Sequence, residues 1–352
     1  MTDTASELDP STGWAGPTAE APPEAALMQL LMGGFVTQSI GVAARFGVAD
    51  ALAQGPRHVD DIAAEVGAHA PSLYRLLRAL GDFGVFAELA GQRFGLTAAG
   101  ELLRSDSTPS LRGLAEHFGS GFHRAAWSGL YDSVRTGEAA FERVHGAPQF
   151  DYYRSHPEEA AIFDAAMTSV ASAIYATLES YDFGRFGTVV DVGGGNGAYL
   201  SGILASYPAL RGVLFDLPDV VERAAPVLAK AGVADRCEVA GGSFFDAVPK
   251  GADAYVLTAV IHDWDDEASV RILRNCRAAM PAHATLLLGE PVLPDGPEPS
   301  VGKLLDLETL IGTTGRQRTE AEFRELLDRA GLRLTRVLHS SGPDSLVEAV
   351  PR

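Results

Sequence analysis

The run TVVDVGGGNGAYL, Thr188 to Leu200, constrains the fold more than any other stretch of the chain. An apolar, β-branched segment ends in a turn carrying Gly193, Gly194, Gly195 and Gly197, and a helical pattern starts at once. A strand that turns through glycines into a helix opens a βαβ unit, and the glycines let a ligand approach the backbone closely. The alternation continues. AYLSGILASYP reads as a helix, RGVLFDLP as a strand, DVVERAAPVLAKAG as a helix, and CEVAGGSFF and DAYVLTAVI as strands. DEASVRILRNCRAAM then reads as a helix, ATLLLGEPV as a strand and TEAEFRELLDRAG as a helix, with two strands, LRLTRVL and SLVEAV, at the end. Strands alternating with helices predict an α/β, doubly wound parallel sheet with a final antiparallel hairpin.

The chain upstream is helical. EAALMQLLMGGFVTQSIGVAARFGVADAL has apolar residues at helical spacing, and HVDDIAAEVG is a short helix ending at Gly67. APSLYRLLRALGDFGVFAEL has Pro71 at its start and Leu73, Leu76, Leu77 and Leu80 on one face. FAELAGQRFGLTAAGELL reads as a hairpin turning at Gly91, then a helix. Three helices and a hairpin are the layout of a winged helix. The chain thus divides into a polar, disordered tail (1–22), a winged-helix module (23–106), a helical linker contributing to a substrate pocket (107–180) and the sheet domain (181–352).

A winged helix raises the question of DNA. Between Arg57 and Arg104 there are five arginines, no lysine and six acids, and the whole chain carries a net charge of −18. A DNA reader needs a basic stripe, so the module is expected to be structural and nucleic acid is not an expected partner. The stretch Leu27 to Ile40 holds more apolar surface than one small module can bury, and a homodimer would cover it. No uninterrupted apolar run is long enough to span a bilayer, so no membrane partner is expected. The N-terminus lacks the basic-then-apolar layout of a signal peptide, and two cysteines, Cys237 and Cys276, suit a reducing cytoplasm. Cys276 lies on the apolar stripe of its helix and reads as a core thiol.

The glycine turn matches G-x-G-x-x-A at 193, 195 and 198, so a dinucleotide site must be weighed. Two acids tilt the choice. Asp191 precedes the turn, where its negative charge would repel a pyrophosphate but attract the ammonium group of S-adenosylmethionine, which has no phosphate. Asp216 ends the next strand, where a carboxylate can accept both ribose hydroxyls. Ser243 and Phe244, after the third strand, could edge an adenine. The expected cofactor is S-adenosylmethionine.

Taken together, VVDVGGGNGAYL, GVLFDLPDVV, GGSFFDAVPKGADAYVLTAVIHDWDDE and LLLGEPVLP resemble the S-adenosylmethionine-dependent small-molecule O-methyltransferases of the caffeic acid O-methyltransferase type and their bacterial relatives in antibiotic biosynthesis. The resemblance runs from about residue 25 to the C-terminus, and in that family the winged helix forms an intimate dimer. It implies cofactor contacts at Asp191, Gly193, Gly195, Asp216, Leu217, Ser243, Phe244 and Thr258, with Ser243 standing where the family usually has Asp and Thr258 where plant members have lysine. It implies His262 as general base and Glu290 as the first of two acids bracketing it. The second acid, in the family's G-G-K-E-R-T stretch, falls on the neutral Gln317 of TGRQRT. Phe163, Met167 and the stretch Leu305–Thr313, with Asp306 and Leu310, are expected to line the acceptor pocket, joined by His123 or Trp127.

Histidine suits the task. A phenol of pKa near 10 is mostly protonated at neutral pH, and a base of pKa near 6.5 can take its proton as the new bond forms. The acids Asp263, Asp265 and Asp266 read as caps for the helix that follows, and Trp264 as packing against the cofactor side. Outside this run no His/Asp/Glu cluster has metal-ligand spacing, so a metal-independent enzyme is expected. The expectation is a cytoplasmic O-methyltransferase acting on an aromatic or polyketide-type hydroxyl in secondary metabolism. Two alternatives stay open: N- or C-methylation or non-methylating chemistry on the same scaffold, and a ligand-sensing winged-helix regulator.

Overall fold

A computed structural model describes residues 22–178, 181–339 and 344–352. The tail expected over 1–22 lies, but for Pro22, outside the described residues. The chain forms two compact units that divide between His123 and Arg124.

In the first unit, α1 (Pro23–Phe46) begins on a proline and ends at Gly47, whose left-handed φ of 69° lets its N–H cap the carbonyls of Ala43 and Ala44. It is followed by α2 (Val48–Ala51), α3 (Val59–Val66), α4 (Ala70–Asp82), α5 (Ala98–Glu101) and α6 (Arg112–Phe118). The strands β1 (Arg57–His58), β2 (Phe86–Leu89) and β3 (Arg93–Leu96) form a small sheet in the order β1-β3-β2. The hairpin between β2 and β3 turns at Gly91, as the sequence predicts, and at the neighbouring Gln92, which also has positive φ. Leu73, Leu77 and Leu80 of α4 close the core with Ile62, Phe86 and Phe94. The strand β1 carries no alternating pattern and was not foreseen.

The helix α1 leaves most of its apolar face open: Leu27, Leu30, Leu31 and Phe35 are each more than half exposed. By length and composition alone it is long and apolar enough to cross a membrane. That corrects the sequence expectation. Gln29, Thr37, Gln38 and Ser39 interrupt the run as read by eye, but too few of its residues are charged to lower the average. Helices α1 and α6 meet at a pair of glycines, where a Cβ on Gly41 would fall 2.6 Å from the Gly119 Cα.

In the second unit, helices α7 (Gly121–Trp127, which starts in the first), α8 (Leu130–Thr136), α9 (Ala140–His145), α10 (Gln149–Ser155) and α11 (Pro157–Leu178) precede the sheet. The strands are β4 (Thr188–Val192), β5 (Arg211–Asp216), β6 (Cys237–Gly241), β7 (Ala254–Thr258), β8 (Thr285–Leu293), β9 (Arg318–Thr319), β10 (Leu332–His339) and β11 (Asp344–Pro351). They are ordered β10-β11-β8-β7-β4-β5-β6, with the short β9 beside the end of β8. From β8 to β6 the order is parallel, and β11 joins β8 antiparallel. The helices between strands are α12 (Ala198–Ser206), α13 (Pro218–Val221), α14 (Ala225–Lys230), α15 (Asp266–Ala279), α16 (Gly302–Gly312) and α17 (Glu320–Arg329). Residues of α12 and α14 cover one face of the sheet, and residues of α15 and α17 the other. The chain reverses its order of progress between β4 and β7, and a crevice at the carboxyl ends of strands at such a switch point is where these sheets bind ligands.

Two expected elements change. The single helix over DVVERAAPVLAKAG is two, α13 and α14, because Pro226 cannot sit inside a helix and instead occupies the first turn of the second. The strand expected to reach Ile261 stops at Thr258, because Ala259 turns into the left-handed region at φ 52° and residues Ile261–Asp263 form one 3-10 turn.

The glycine crossing predicts its own test. Gly41→Ala forces α1 off α6 and should lower the unfolding free energy by about 1–3 kcal/mol, the usual cost of overpacking, measured by urea denaturation. An unchanged midpoint would mean that the two backbones do not approach so closely.

Candidate active site

The glycine turn is built as a cradle. Gly193, Gly195 and Gly197 all have positive φ, and the N–H groups of Gly193 and Gly194 both reach the Phe215 carbonyl at the end of β5. At Gly194 a Cβ would strike Leu214 and the Asp191 carboxyl, whereas a Cβ on Gly195 would meet nothing within 4 Å. One side of the turn is thus packed and the other open. Asp216 binds the turn from the next strand: its carboxylate accepts the Gly195 N–H at 2.8 Å and the Leu217 N–H at 2.6 Å. Asp191 lies beneath, 1% exposed, and its Oδ2 has no hydrogen-bond partner among the described residues. Burial and the neighbouring Asp216 charge push its carboxyl up to about 7. Burial also raises Asp216, against the two N–H groups that hold it down.

Around this turn stand other expected cofactor contacts. The Phe244 ring comes within 3.5 Å of where a Gly193 Cβ would lie, while Ser243 folds its hydroxyl back on the Phe245 N–H. Thr258 ends β7 with a buried Oγ1 that has no partner among the described residues. Trp264 meets Phe244 and Phe245 edge-on and stacks at 6.2 Å on Phe150, so it packs as expected. Phe150 in turn meets Phe163 edge-on, and Phe163 stacks on Tyr153 at 4.8 Å. Met167, also on α11, is half-buried. On α16, Leu310 is half-buried, and Asp306 takes the Gln317 N–H at 2.7 Å, which ties the helix to the following loop. The Trp127 indole N–H donates to Glu308 of the same helix at 2.7 Å. His123 belongs to the first unit.

His262 sits on the 3-10 turn after β7, not on the strand itself. Its Nδ1 lies 2.6 Å from Glu290 Oε2. Glu290 is fully buried in the middle of β8 rather than at its end, and its other oxygen accepts the N–H groups of Val260 and Ile261 at 3.1 and 2.7 Å. A carboxylate can only accept, so Nδ1 carries the proton, and Nε2 is left as the ring's acceptor whenever the ring is neutral. Nε2 lies 3.8 Å from Asp263 Oδ1. Burial works against the charged ring, but the carboxylates of Glu290, Asp263 and Asp344 outweigh it and raise His262 to about 9. The ordinary value near 6.5 assumed from sequence does not hold here. Burial and the surrounding charges place Asp263 and Asp344 each at about 6.

Reading the three acids after His262 as caps is right only in part. Asp265 caps α15 by accepting the Ala268 N–H at 2.8 Å, and Asp266 occupies the first helical position. Asp263 stands before the helix, on the turn with His262, and caps nothing. Gln317, expected beside the base, is buried with its Oε1 unpartnered among the described residues. What its loop presses on the turn is Gly315, where a Cβ would fall 1.9 Å from the His262 carbonyl oxygen. The sequence reading missed Arg318, whose buried guanidinium donates to the carbonyls of Ile261 and Trp264 and to Asp266. Three of its partners, the carbonyls of Ile261, Trp264 and Arg316, are main chain, so little in the residue types of the sequence points to it.

Comparison with known proteins bears on this arrangement. The O-methyltransferase domain family matches residues 127–333, and the O-methyltransferase dimerisation domain family matches residues 28–106. The phenazine O-methyltransferase PhzM of Lysobacter antibioticus is 45% identical over 326 residues, 92% of this chain and 95% of its own length. The 8-amino-8-demethylriboflavin N,N-dimethyltransferase of Streptomyces davaonensis is 40% identical over 304 residues, 85% of this chain and 87% of its own. Among solved structures, the O-methyltransferase NcsB1 of neocarzinostatin biosynthesis, in complex with S-adenosylmethionine and 2-hydroxy-5-methyl naphthoic acid, matches with a TM-score of 0.74 at 36% identity. That likeness covers 90% of this chain and 96% of the other.

The carboxylates around His262 set its titration. The ring should titrate near pH 9 in the free protein, read by NMR of labelled histidine. Glu290→Gln should bring it down by about one unit or more by removing the nearest anion. The sign for stability follows: a histidine raised on folding adds stability that is full below its unfolded pKa of about 6.5 and lost as pH rises through the folded value. A His262 midpoint at or below 6.5 in the wild type would contradict the arrangement.

Proposed function

The chain belongs to the S-adenosylmethionine-dependent O-methyltransferase family, with that family's dimerisation domain, and from this premise we propose that it methylates a hydroxyl of an aromatic or polyketide-type small molecule, with His262 as general base. The observation that carries the proposal is the His262–Glu290 pair. Glu290 fixes the ring in the Nδ1–H tautomer, and Nε2 is then the atom that takes the acceptor's proton.

The residues at the glycine turn fit S-adenosylmethionine. The open side of Gly195 admits a ligand to the backbone, Asp216 is held by two N–H groups with lone pairs left for ribose hydroxyls, and Asp191 keeps an unpartnered, buried oxygen nearby. Gly193, Leu217, Ser243, Phe244 and Thr258 complete the proposed set. When bound, S-adenosylmethionine supplies a methyl group already activated on a sulfonium centre. The protein then has to align the acceptor oxygen and make it electron-rich, and alignment alone can be worth effective molarities of about 10⁵–10⁸ M.

His262 at about 9 is mostly protonated at neutral pH and cannot act in that form. A positive charge held nearby disfavours the imidazolium, so occupancy of a cationic cofactor and readiness of the base are coupled. Glu290 stabilises the imidazolium once the proton has arrived. Phe150, Phe163, Met167, Trp264 and Leu310 are proposed to hold a flat acceptor. The relative named for N,N-dimethylation supports a second reading, an amine acceptor, on the same site. The exposed face of α1 supports a homodimer that buries Leu27, Leu30, Leu31 and Phe35. We also read the enzyme as cytoplasmic and metal-independent, and no nucleic-acid partner is proposed.

Incubation with S-adenosylmethionine and a panel of phenols and aromatic amines, with mass spectrometry of products, should show transfer of one methyl to a phenolic oxygen. His262→Ala should lose about 10²- to 10⁴-fold in turnover with cofactor affinity little changed. Glu290→Gln should lose a comparable amount, because an amide NH₂ facing Nδ1 favours the opposite tautomer and removes the acceptor at Nε2. Methylation of amines alone, unaffected by His262→Ala, would replace the proposal by the second reading. Asp216→Ala should weaken calorimetric binding of S-adenosylmethionine by about 1.5–3 kcal/mol. Light scattering should find a dimer, and a stable monomer at micromolar concentration would leave the α1 face without its proposed cover.

A further inference from the structure

The turn that carries His262 is gripped from two sides, and only one grip follows from the proposed chemistry. On the N–H side Glu290 accepts from Val260, Ile261 and the imidazole. On the carbonyl side stands Arg318, on β9, with 1% of its side chain exposed. Its Nη1 donates to the Ile261 carbonyl at 3.1 Å, and its Nη2 donates to the Trp264 carbonyl at 2.8 Å. These carbonyls flank His262 and Asp263. Nε and Nη2 both reach Asp266 Oδ1, at 3.1 and 2.8 Å, and Nη2 lies 3.4 Å from Ser269 Oγ. The Ser269 hydroxyl sits among the same two carbonyls, 3.3 and 3.2 Å away.

A buried guanidinium is a costly way to hold a fold together, and an apolar side chain of similar volume often does it as well or better. What an apolar side chain cannot do is fix the direction of two carbonyl groups. The planar fork of arginine can, and lysine, a point donor, cannot. Ala259 at φ 52° makes the turn an unfavourable backbone conformation, of the kind that persists only where surroundings over-determine it. We infer that Arg318 is a positioning residue for His262: it holds the Ile261 and Trp264 carbonyls so that the turn delivers Nδ1 to Glu290 and aims Nε2 at the acceptor. The inference rests on the reading of His262 as base, but its test does not need the acceptor.

The test is NMR of the full-length protein labelled in histidine, with the His262 signals identified by their loss in His262→Ala. The charged groups facing the ring are Glu290 on β8, Asp263 on its own turn and Asp344 on β11, with Arg318 on β9 behind the turn. Arg318→Lys keeps the charge but cannot bridge both carbonyls and Asp266. The His262 midpoint should fall by about one unit or more as the ring leaves Glu290, and the Nδ1–H signal should weaken or vanish, while circular dichroism shows a folded protein. Asp266→Ala removes the anchor of Arg318 from a partly exposed position and should move both signals the same way, by less. If Arg318→Lys does not fold, Asp266→Ala decides alone. A folded variant with the wild-type midpoint and an intact Nδ1–H signal would overturn the inference and leave Arg318 a structural residue. Wild-type turnover in His262→Ala would count against the base and leave this result standing.

Discussion

Everything at the carboxyl edge of the sheet is organised by one buried carboxylate. Glu290 is fully enclosed, in the middle of the long β8, between β7 and β11. A carboxylate withdrawn from water without partners is strongly disfavoured. Here it accepts from two backbone N–H groups and one ring N–H, and that satisfaction is available only if the chain after β7 leaves the strand and doubles back over β8. The break at Ala259 and the 3-10 turn are thus the conformations in which the Glu290 charge is tolerated. The start of α15 inherits its position from the same turn, with Asp265 capping it and Asp266 receiving Arg318. Removing the carboxylate would therefore cost both the orientation of the imidazole and the reason for the turn.

The electrostatic pattern has a common sense. At the carboxyl ends of β4 and β5, burial raises both Asp191 and Asp216, and the Asp216 charge raises Asp191 further. Asp263 and Asp344 are raised beside Glu290 at the ends of β7 and β11. The free protein thus carries two knots of carboxylates whose mutual repulsion and burial are unfavourable, on either side of the switch point. A cationic ligand beside either set would relieve it, whereas a pyrophosphate would add to it. This is the structural counterpart of the preference for S-adenosylmethionine over a dinucleotide that the two acids indicate in the sequence.

Legibility in the sequence follows from what kind of partner each residue needs. The glycine turn was readable because Gly193, Gly195 and Gly197 adopt positive φ, which glycine alone accepts at no steric cost. Helices such as α4, α15 and α17 were readable because each buries a face with its own period, and β4, β7 and β8 because they are buried on both faces and read as short continuous apolar runs. Pro226 was a visible signal that went unused. Ala259, by contrast, gives no sign of its left-handed backbone, since that conformation is imposed by Glu290 thirty-one residues downstream. Arg318 was hidden for a similar reason: three of its partners are carbonyl groups, which every residue has. The apolar character of α1 was visible, but its full extent was masked by scattered small polar residues.

The neutral residue at position 317 raises the question of what balances an imidazolium on the side away from Glu290. Gln317 cannot, and its backbone is engaged with Asp306. Asp263 can. Its carboxylate lies 3.8 Å from Nε2, too far for a hydrogen bond yet close enough for a charge interaction on the order of a few kcal/mol at intermediate dielectric. With its carboxyl at about 6, it is largely ionised at neutral pH. The length of the contact matters as much as its charge. At 3.8 Å Asp263 adds to the charges that raise His262 to about 9, but it makes no hydrogen bond to Nε2, so once the ring is neutral that nitrogen has no donor or acceptor of this turn in its way.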